Sequence, residues 1–289
     1  MNRDWESTRF SSDATRLLRW FENHDRVAVA FSGGVDSSVV LAAACGSGAD
    51  VIALTASSPS VAQWQRSMAE RVAGDLDVEH RYVRTDELSS SAYVANESDR
   101  CFHCKASLYA ALKPVCEEAT GQARTVVTGT NSDDLGDYRP GIEAGRIANV
   151  ATPLAELRLG KSDVRSIAAE FGLPNADLPA SPCLASRLAY GVEVTAERLM
   201  MVERAEDYLR EQGFETLRVR LHAGELARIE LPAESLTEFL NSRFRATTLT
   251  RFQEIGFRYI TFDLAGFQSG SMNKQLVGLS APNGARLDH

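Results

Sequence analysis

The stretch that most constrains the fold is VAVAFSGGVDSSVV, residues 27–40. Residues 26–32 read as a buried strand, and residues 36–45 read as a helix rich in alanine and valine. Only Ser32-Gly33-Gly34-Val35-Asp36-Ser37 connects them. A strand that passes through a glycine pair directly into a helix is the opening unit of an α/β fold, and few other architectures use it.

The first half of the chain repeats that rhythm. Residues 50–56 and 78–83 read as strands, with a helix over 61–73 ahead of the third strand. A helix over 103–119 follows, with Pro114 expected to kink or end it. Residues 124–130 form a fourth strand. A helix over 162–171 has Ser162 in the capping position and Gly172 as its stop. Strands alternating with helices of this length give a parallel sheet with helices on both faces. Beyond about residue 190 the pattern changes. A helix over 195–212 carries Leu199, Val202, Ala205 and Leu209 at helical spacing. It is followed by strands at 217–221 and 226–231, a helical stretch over 233–255 and a strand at 257–264. The expected organisation is an α/β domain over 1–188, a smaller α+β domain over 189–275 and a polar tail over 276–289.

The 289 residues suffice for a large core, and the net charge of −8 argues against a nucleic-acid surface, which is normally basic. No apolar run approaches the roughly 18 residues of a membrane span. The opening MNRDWESTRF has no apolar core of the signal-peptide kind. The expected location is the cytoplasm, with no nucleic-acid or membrane partner. Five cysteines in such a chain point away from a disulfide framework and toward catalysis or metal binding.

In the glycine loop, backbone N–H groups can close around an anion, and the helix start adds free amides and the positive end of its dipole. Ser32 and Ser37 can add hydroxyls. The spacing is neither that of the common lysine-bearing phosphate loop nor that of the dinucleotide fingerprint. A tight turn that uses glycine for geometry alone is the plain alternative. SGGVDS resembles the pyrophosphate loop of the PP-loop ATP pyrophosphatases, the adenine nucleotide alpha hydrolase-like fold. That resemblance implies cleavage of ATP between its α- and β-phosphates, with Ser32, Gly33, Gly34, Asp36 and Ser37 at the nucleotide and Asp36 orienting Mg²⁺ or the phosphates. Thr55, ending the second strand, is placed near the nucleotide or simply packs the sheet edge. Asn131, Asp133 and Asp134, in GTNSDDLGD after the fourth strand, fall at the edge where open parallel sheets bind ligands. They are a second side for the metal, or a solvated loop of Asx turns.

Cys45 and Cys116 sit in apolar helical runs and suit filler roles. Cys183, in SPCLASR, is flanked by Pro182, Ser186 and Arg187. A cation one helical turn away would favour its thiolate. Cys101 and Cys104 form C-x-x-C, whose spacing alone leaves metal binding and redox exchange open. Arg218 and Arg220 alternate on a strand and so share a face. They are either a phosphate clamp or a salt-bridged pair.

Five segments sharpen the picture: DRCFHCK (99–105), GTNSDDLGDYRPG (129–141), SPCLASR (181–187), RVRLHAGELARIELP (218–232) and GFRYITFDLAGFQSGSMN (256–273). Together and in this order they resemble the ATP-dependent sacrificial sulfur transferases of nickel-pincer nucleotide assembly, the LarE family. The resemblance implies that ATP adenylates a carboxylate of a pyridinium dicarboxylic acid mononucleotide and that the thiolate of Cys183 displaces AMP. The Cβ–S bond then breaks, leaving a thiocarboxylate product and dehydroalanine on the protein. It assigns Arg187, Arg218 and Arg220 to the substrate and matches Glu230 to a family acid. It also admits a [4Fe–4S] cluster on Cys101, Cys104 and Cys183, and it implies a homo-oligomer. The competing readings are another PP-loop adenylating enzyme, such as an amidotransferase-linked synthetase or a tRNA thiolase, and a regulatory module that binds ATP without splitting it.

Overall fold

A computed structural model describes residues 10–117, 123–136, 140–179, 182–241 and 244–268. The expected polar tail over 276–289, residues 269–273 of the last family-like segment, residues 137–139 and Ser181 lie outside the described residues. The chain divides into two compact units. The first comprises Met1–Val94 and Asp99–Cys183, and the second comprises Ala95–Ser98 and Leu184–His289.

The first unit opens with α1 (Ser12–Phe21), whose start is capped by the Ser11 hydroxyl accepting from the Ala14 amide at 3.3 Å. β1 (Arg26–Ala30), α2 (Val35–Gly46), β2 (Asp50–Ser57), α3 (Gln63–Asp75) and β3 (Glu79–Arg84) follow. Next come α4 (Ser91–Val94), α5 (Arg100–Cys116), β4 (Thr125–Val127), α6 (Pro140–Ile147), α7 (Pro153–Glu156) and α8 (Lys161–Glu170). The four strands form one parallel sheet in the order β3-β2-β1-β4. Val27 and Val29 of β1 pack into one apolar cluster with α1, α2 and α8, while Ala28 packs into a second with α5. Alternate residues of one strand are therefore buried on opposite faces, which explains the unbroken apolar run. Val39 to Ala44 of α2 are fully buried, so this helix is apolar all round.

The strand order places the switch point beside β1. The chain leaves β1 toward β2 on one side and returns to pair β4 on the other, so the loops after β1 and β4 open at the same edge. β1 stops two residues short of the expected 32, because Gly33 turns the chain with φ +74°. β4 spans three residues and is continued by a parallel bridge between Val127 and Ala151. α5 starts three residues earlier than expected and carries Pro114 in its last turn without breaking before Cys116. Ser162 does not cap α8. Gly160 holds that position, its amide bonded to Asp163 Oδ2 at 2.9 Å.

In the second unit, α9 (Ala196–Glu211) is capped by the Thr195 hydroxyl and buries Leu199, Val202, Ala205 and Leu209. β5 (Arg218–His222) pairs antiparallel with β6 (Leu226–Glu230), and β6 pairs parallel with β7 (Tyr259–Phe262). The helical stretch expected over 233–255 is described as α10 (Ala233–Asn241) and α11 (Phe244–Ile255), with residues 242–243 outside the described residues. Residues 95–98 belong to this unit: the buried Asn96 side chain donates to the carbonyls of Ala189 and Val192, each at 2.8 Å. Among the described residues no helix is long and apolar enough to cross a membrane.

Candidate active site

The loop after β1 is built by its glycines. A Cβ on Gly33 would lie 2.8 Å from the Ala69 amide and 2.9 Å from the Gln65 carbonyl of α3, so any side chain there would displace backbone. From the other side, a Cβ on Gly129 would come within 2.6 Å of the Ser37 amide. α2 starts at Gly34 with no side-chain cap, which leaves its first-turn amides available to an anion. The Ser32 and Ser37 hydroxyls bond to each other at 3.1 Å, and the Gly34 amide meets Ser32 Oγ at 3.3 Å. These small dipoles satisfy one another and can turn outward to a phosphate.

Asp36, in the first turn of α2, accepts from Asn131 Nδ2 at 3.1 Å. Burial pushes its carboxyl above the ordinary value, and the charge of Asp134 adds to that; the Asn131 bond and Lys161 work the other way. Asp134 is itself buried, with Lys161 Nζ at 3.8 Å from its Oδ1. Asp36 and Asp134 thus bring two costly negative charges into one electrostatic neighbourhood. Hard oxygen donors beside an anion cradle suit Mg²⁺, with phosphate oxygens and water completing its shell. Asp133 is turned elsewhere, accepting from the Lys161 amide at 2.8 Å. Among the described residues no three His, Cys, Asp or Glu side chains converge to hold a metal. Asp133 has a bonding role at the start of α8.

Thr55 is almost fully buried at the end of β2. Its hydroxyl donates to the Phe31 carbonyl at 2.8 Å and shares a bond with His80 Nε2 at 2.8 Å. Its polar atom therefore ties β1, β2 and β3 together at the ligand edge.

Cys183 ends the first unit, and its charge acts on three groups of that unit: the buried Arg100 and Tyr93 and the half-buried Cys104. Burial works against the Arg100 charge, but the charges of Cys183 and Cys101 outweigh it and hold this guanidinium firmly protonated. Burial and then Cys183 push the Cys104 thiol up to about 12, so it stays protonated at neutral pH. Cys101 is exposed. The three cysteines do not form a metal-holding group among the described residues. Beside them Glu87 is 3% exposed, one oxygen taking the Ser58 hydroxyl and the other without a hydrogen-bond partner. Tyr93 shares a 2.5 Å bond with Ser60. Arg100, which precedes Cys101 in DRCFHCK, is a cation that sequence spacing does not connect with Cys183. Cys116 is buried filler, its thiol pushed up by burial.

The second unit gathers buried arginines. Arg187, 3% exposed, donates Nε to Glu206 Oε1 at 3.1 Å; Glu206 also accepts from Arg210 at 2.9 Å and from the Val219 amide at 3.2 Å. Arg220 grips both oxygens of Glu230 at 3.0 Å each and donates to the Ser186 carbonyl at 3.0 Å. The role of Glu230 is thereby visible as the counter-charge of Arg220. Arg218 lies over the Phe267 ring, 4.7 Å from its centroid. Burial, and then the charges of Arg220 and Arg187, pull its pKa down to about 10. A guanidinium under such pressure from like charges is stabilised by an arriving anion.

A family model described as queuosine biosynthesis protein QueC matches residues 26–108, the stretch from β1 into α5. An uncharacterized protein of Synechocystis sp., slr1717, is 42% identical over 92% of this chain and 98% of its own length. Pyridinium-3,5-bisthiocarboxylic acid mononucleotide synthase of Lactiplantibacillus plantarum is 38% identical over 90% of this chain and 94% of its own. A glutamine-hydrolyzing GMP synthase of Thermus thermophilus is 29% identical over 74% of this chain and 46% of its own.

Proposed function

The chain belongs to the pyridinium-3,5-bisthiocarboxylic acid mononucleotide synthases, sulfur transferases built on a PP-loop, and from that membership we propose how its own residues divide the reaction. The substrate is pyridinium-3,5-biscarboxylic acid mononucleotide. One of its carboxylates attacks the α-phosphorus of ATP, giving an acyl adenylate and pyrophosphate. The amides of Gly33 and Gly34 with the Ser32 and Ser37 hydroxyls hold the phosphates. Asp36 and Asp134 hold Mg²⁺, which neutralises charge on the leaving pyrophosphate. Arg218 takes the substrate phosphate, with Arg220 and Arg187 held beside it by Glu230 and Glu206.

The Cys183 thiolate then attacks the acyl carbon and AMP leaves, forming a thioester. Arg100 supports the thiolate charge from within the same unit. Loss of the Cys183 α-proton forms the Cα=Cβ bond, and the Cβ–S bonding pair leaves with sulfur. The product is a thiocarboxylate and residue 183 becomes dehydroalanine, so the thiol is consumed as a reagent. Cys183 acts here as the sulfur donor itself; a [4Fe–4S] cluster, which Cys101, Cys104 and Cys183 would hold, is the alternative sulfur source. A reaction that spends ATP and a free thiol belongs in the reducing cytoplasm. We assign self-assembly to the second unit, which exposes the large apolar side chains Tyr259, Leu264 and Leu249.

The observation that carries this reading is one compact unit holding both a glycine anion cradle with its half-buried aspartate and a cysteine beside a buried arginine. Pyrophosphate release with and without the pyridinium substrate tests it. Substrate-dependent release is expected. Release without that substrate favours another adenylating enzyme, and ATP binding without release favours a regulatory module.

A further inference from the structure

The geometry points to Asn175 as the positioning residue that holds the phosphate loop in its anion-binding form. This rests on the loop assignment above. Asn175 is fully buried, and its Nδ2 donates to the Gly33 carbonyl and to Ser38 Oγ, both at 2.8 Å and across more than a hundred residues of sequence. Its Oδ1 has no hydrogen-bond partner among the described residues. The Gly33 carbonyl can only accept, so the nitrogen must face it; the opposite rotamer would set oxygen against oxygen. A buried amide that leaves its own oxygen unsatisfied in order to make this bond costs free energy, and the loop is what gains.

The gain lies in one peptide plane. In a trans peptide the Gly33 C=O and the Gly34 N–H point in opposite directions. Pinning the carbonyl toward Asn175 directs the Gly34 amide to the other side, where it meets Ser32 Oγ. That is the side of the hydroxyls and of the start of α2, where an anion sits. Gly33 and Gly34 have no Cβ to oppose rotation of the plane between them, so the flexibility that shapes the cradle also allows it to invert. Inversion would aim a carbonyl at the phosphate. Asn175 removes that state.

The experiment is calorimetric titration of inorganic pyrophosphate with Mg²⁺ into the full chain, beside titration of the pyridinium substrate. Asn175→Leu, near in size but without a donor, weakens pyrophosphate binding about 10- to 100-fold, the range of a hydrogen bond to a charged acceptor. Affinity for the pyridinium substrate stays within about twofold, and Ser38→Ala, which spares the Gly33 bond, stays near wild type. Asn175→Ser gives the same loss if the leucine variant unfolds. Unchanged pyrophosphate affinity in a folded Asn175 variant, or an equal loss in Ser38→Ala, overturns the inference. A wild-type chain that binds no pyrophosphate overturns the loop assignment as well.

Discussion

Glu206→Gln probes the buried charges of the second unit. The Glu206 carboxylate is fully buried and takes Arg187 at 3.1 Å, Arg210 at 2.9 Å and the Val219 amide at 3.2 Å. With an effective dielectric of about 20, the Arg187 contact alone is worth about 5 kcal/mol before desolvation is subtracted. Arg210 is partly exposed and adds less. Breaking a buried pair from one side costs about 3–5 kcal/mol, because the other charge stays buried. Glutamine keeps the volume and one acceptor oxygen, which places the expected loss near 3 kcal/mol, or about 13 °C in the melting of this unit.

The pH dependence gives a second check. Burial alone would raise the Glu206 pKa, but Arg187 and Arg210 outweigh it and hold the carboxyl below its ordinary 4.5. A depressed carboxyl stabilises the fold fully above its unfolded pKa, and that contribution is lost as pH falls through the folded value. The gap between wild type and variant in scanning calorimetry is therefore full at neutral pH and closes only below about pH 4.5. A variant that melts within 2 °C of wild type at pH 7, or a gap that persists unchanged into strong acid, refutes the reasoning.

Further tests concern the site. Arg218→Ala with Arg220→Ala weakens binding of the pyridinium mononucleotide by about 10-fold or more while ATP binding changes little, read by calorimetry; equal loss of both contradicts the phosphate assignment. Asp36→Asn lowers pyrophosphate release at least about 100-fold and slightly raises the melting temperature of the ligand-free protein, because it removes a carboxylate whose charge burial disfavours. Cys104→Ser, and separately a metal chelator during the thiol-transfer step, leave single-turnover thioester formation within about threefold, since a thiol pushed to about 12 supplies no thiolate at neutral pH.

Local signals made the parallel sheet legible. The apolar run at 27–31, the glycine pair and the following helix each report their own neighbourhood, and together they locate the ligand edge. Boundaries slipped where a local preference lost to packing. Ser162 is a good cap by type, yet Gly160 caps α8 because Asp163 reaches back to its amide. In the site, what depended on long-range contact was hidden. Arg100 and Cys183 lie far apart in sequence, so spacing could not point to Arg100, and the bond of Arg187 to Glu206 was equally hidden. For Thr55 the residue type leaves a nucleotide neighbour and sheet-edge packing both open, and the bonds of its hydroxyl to Phe31 and His80 are long-range contacts that spacing does not carry. Asn175 carries no motif and becomes visible only when the loop it holds is seen.

Intact mass of the protein after a single turnover with ATP and the pyridinium substrate bears most directly on the use of Cys183 as a reagent. One equivalent of product is expected with a chain lighter by the mass of H₂S, the loss mapping to residue 183. Repeated turnovers from a chain of unchanged mass, with no added sulfur source, would contradict it.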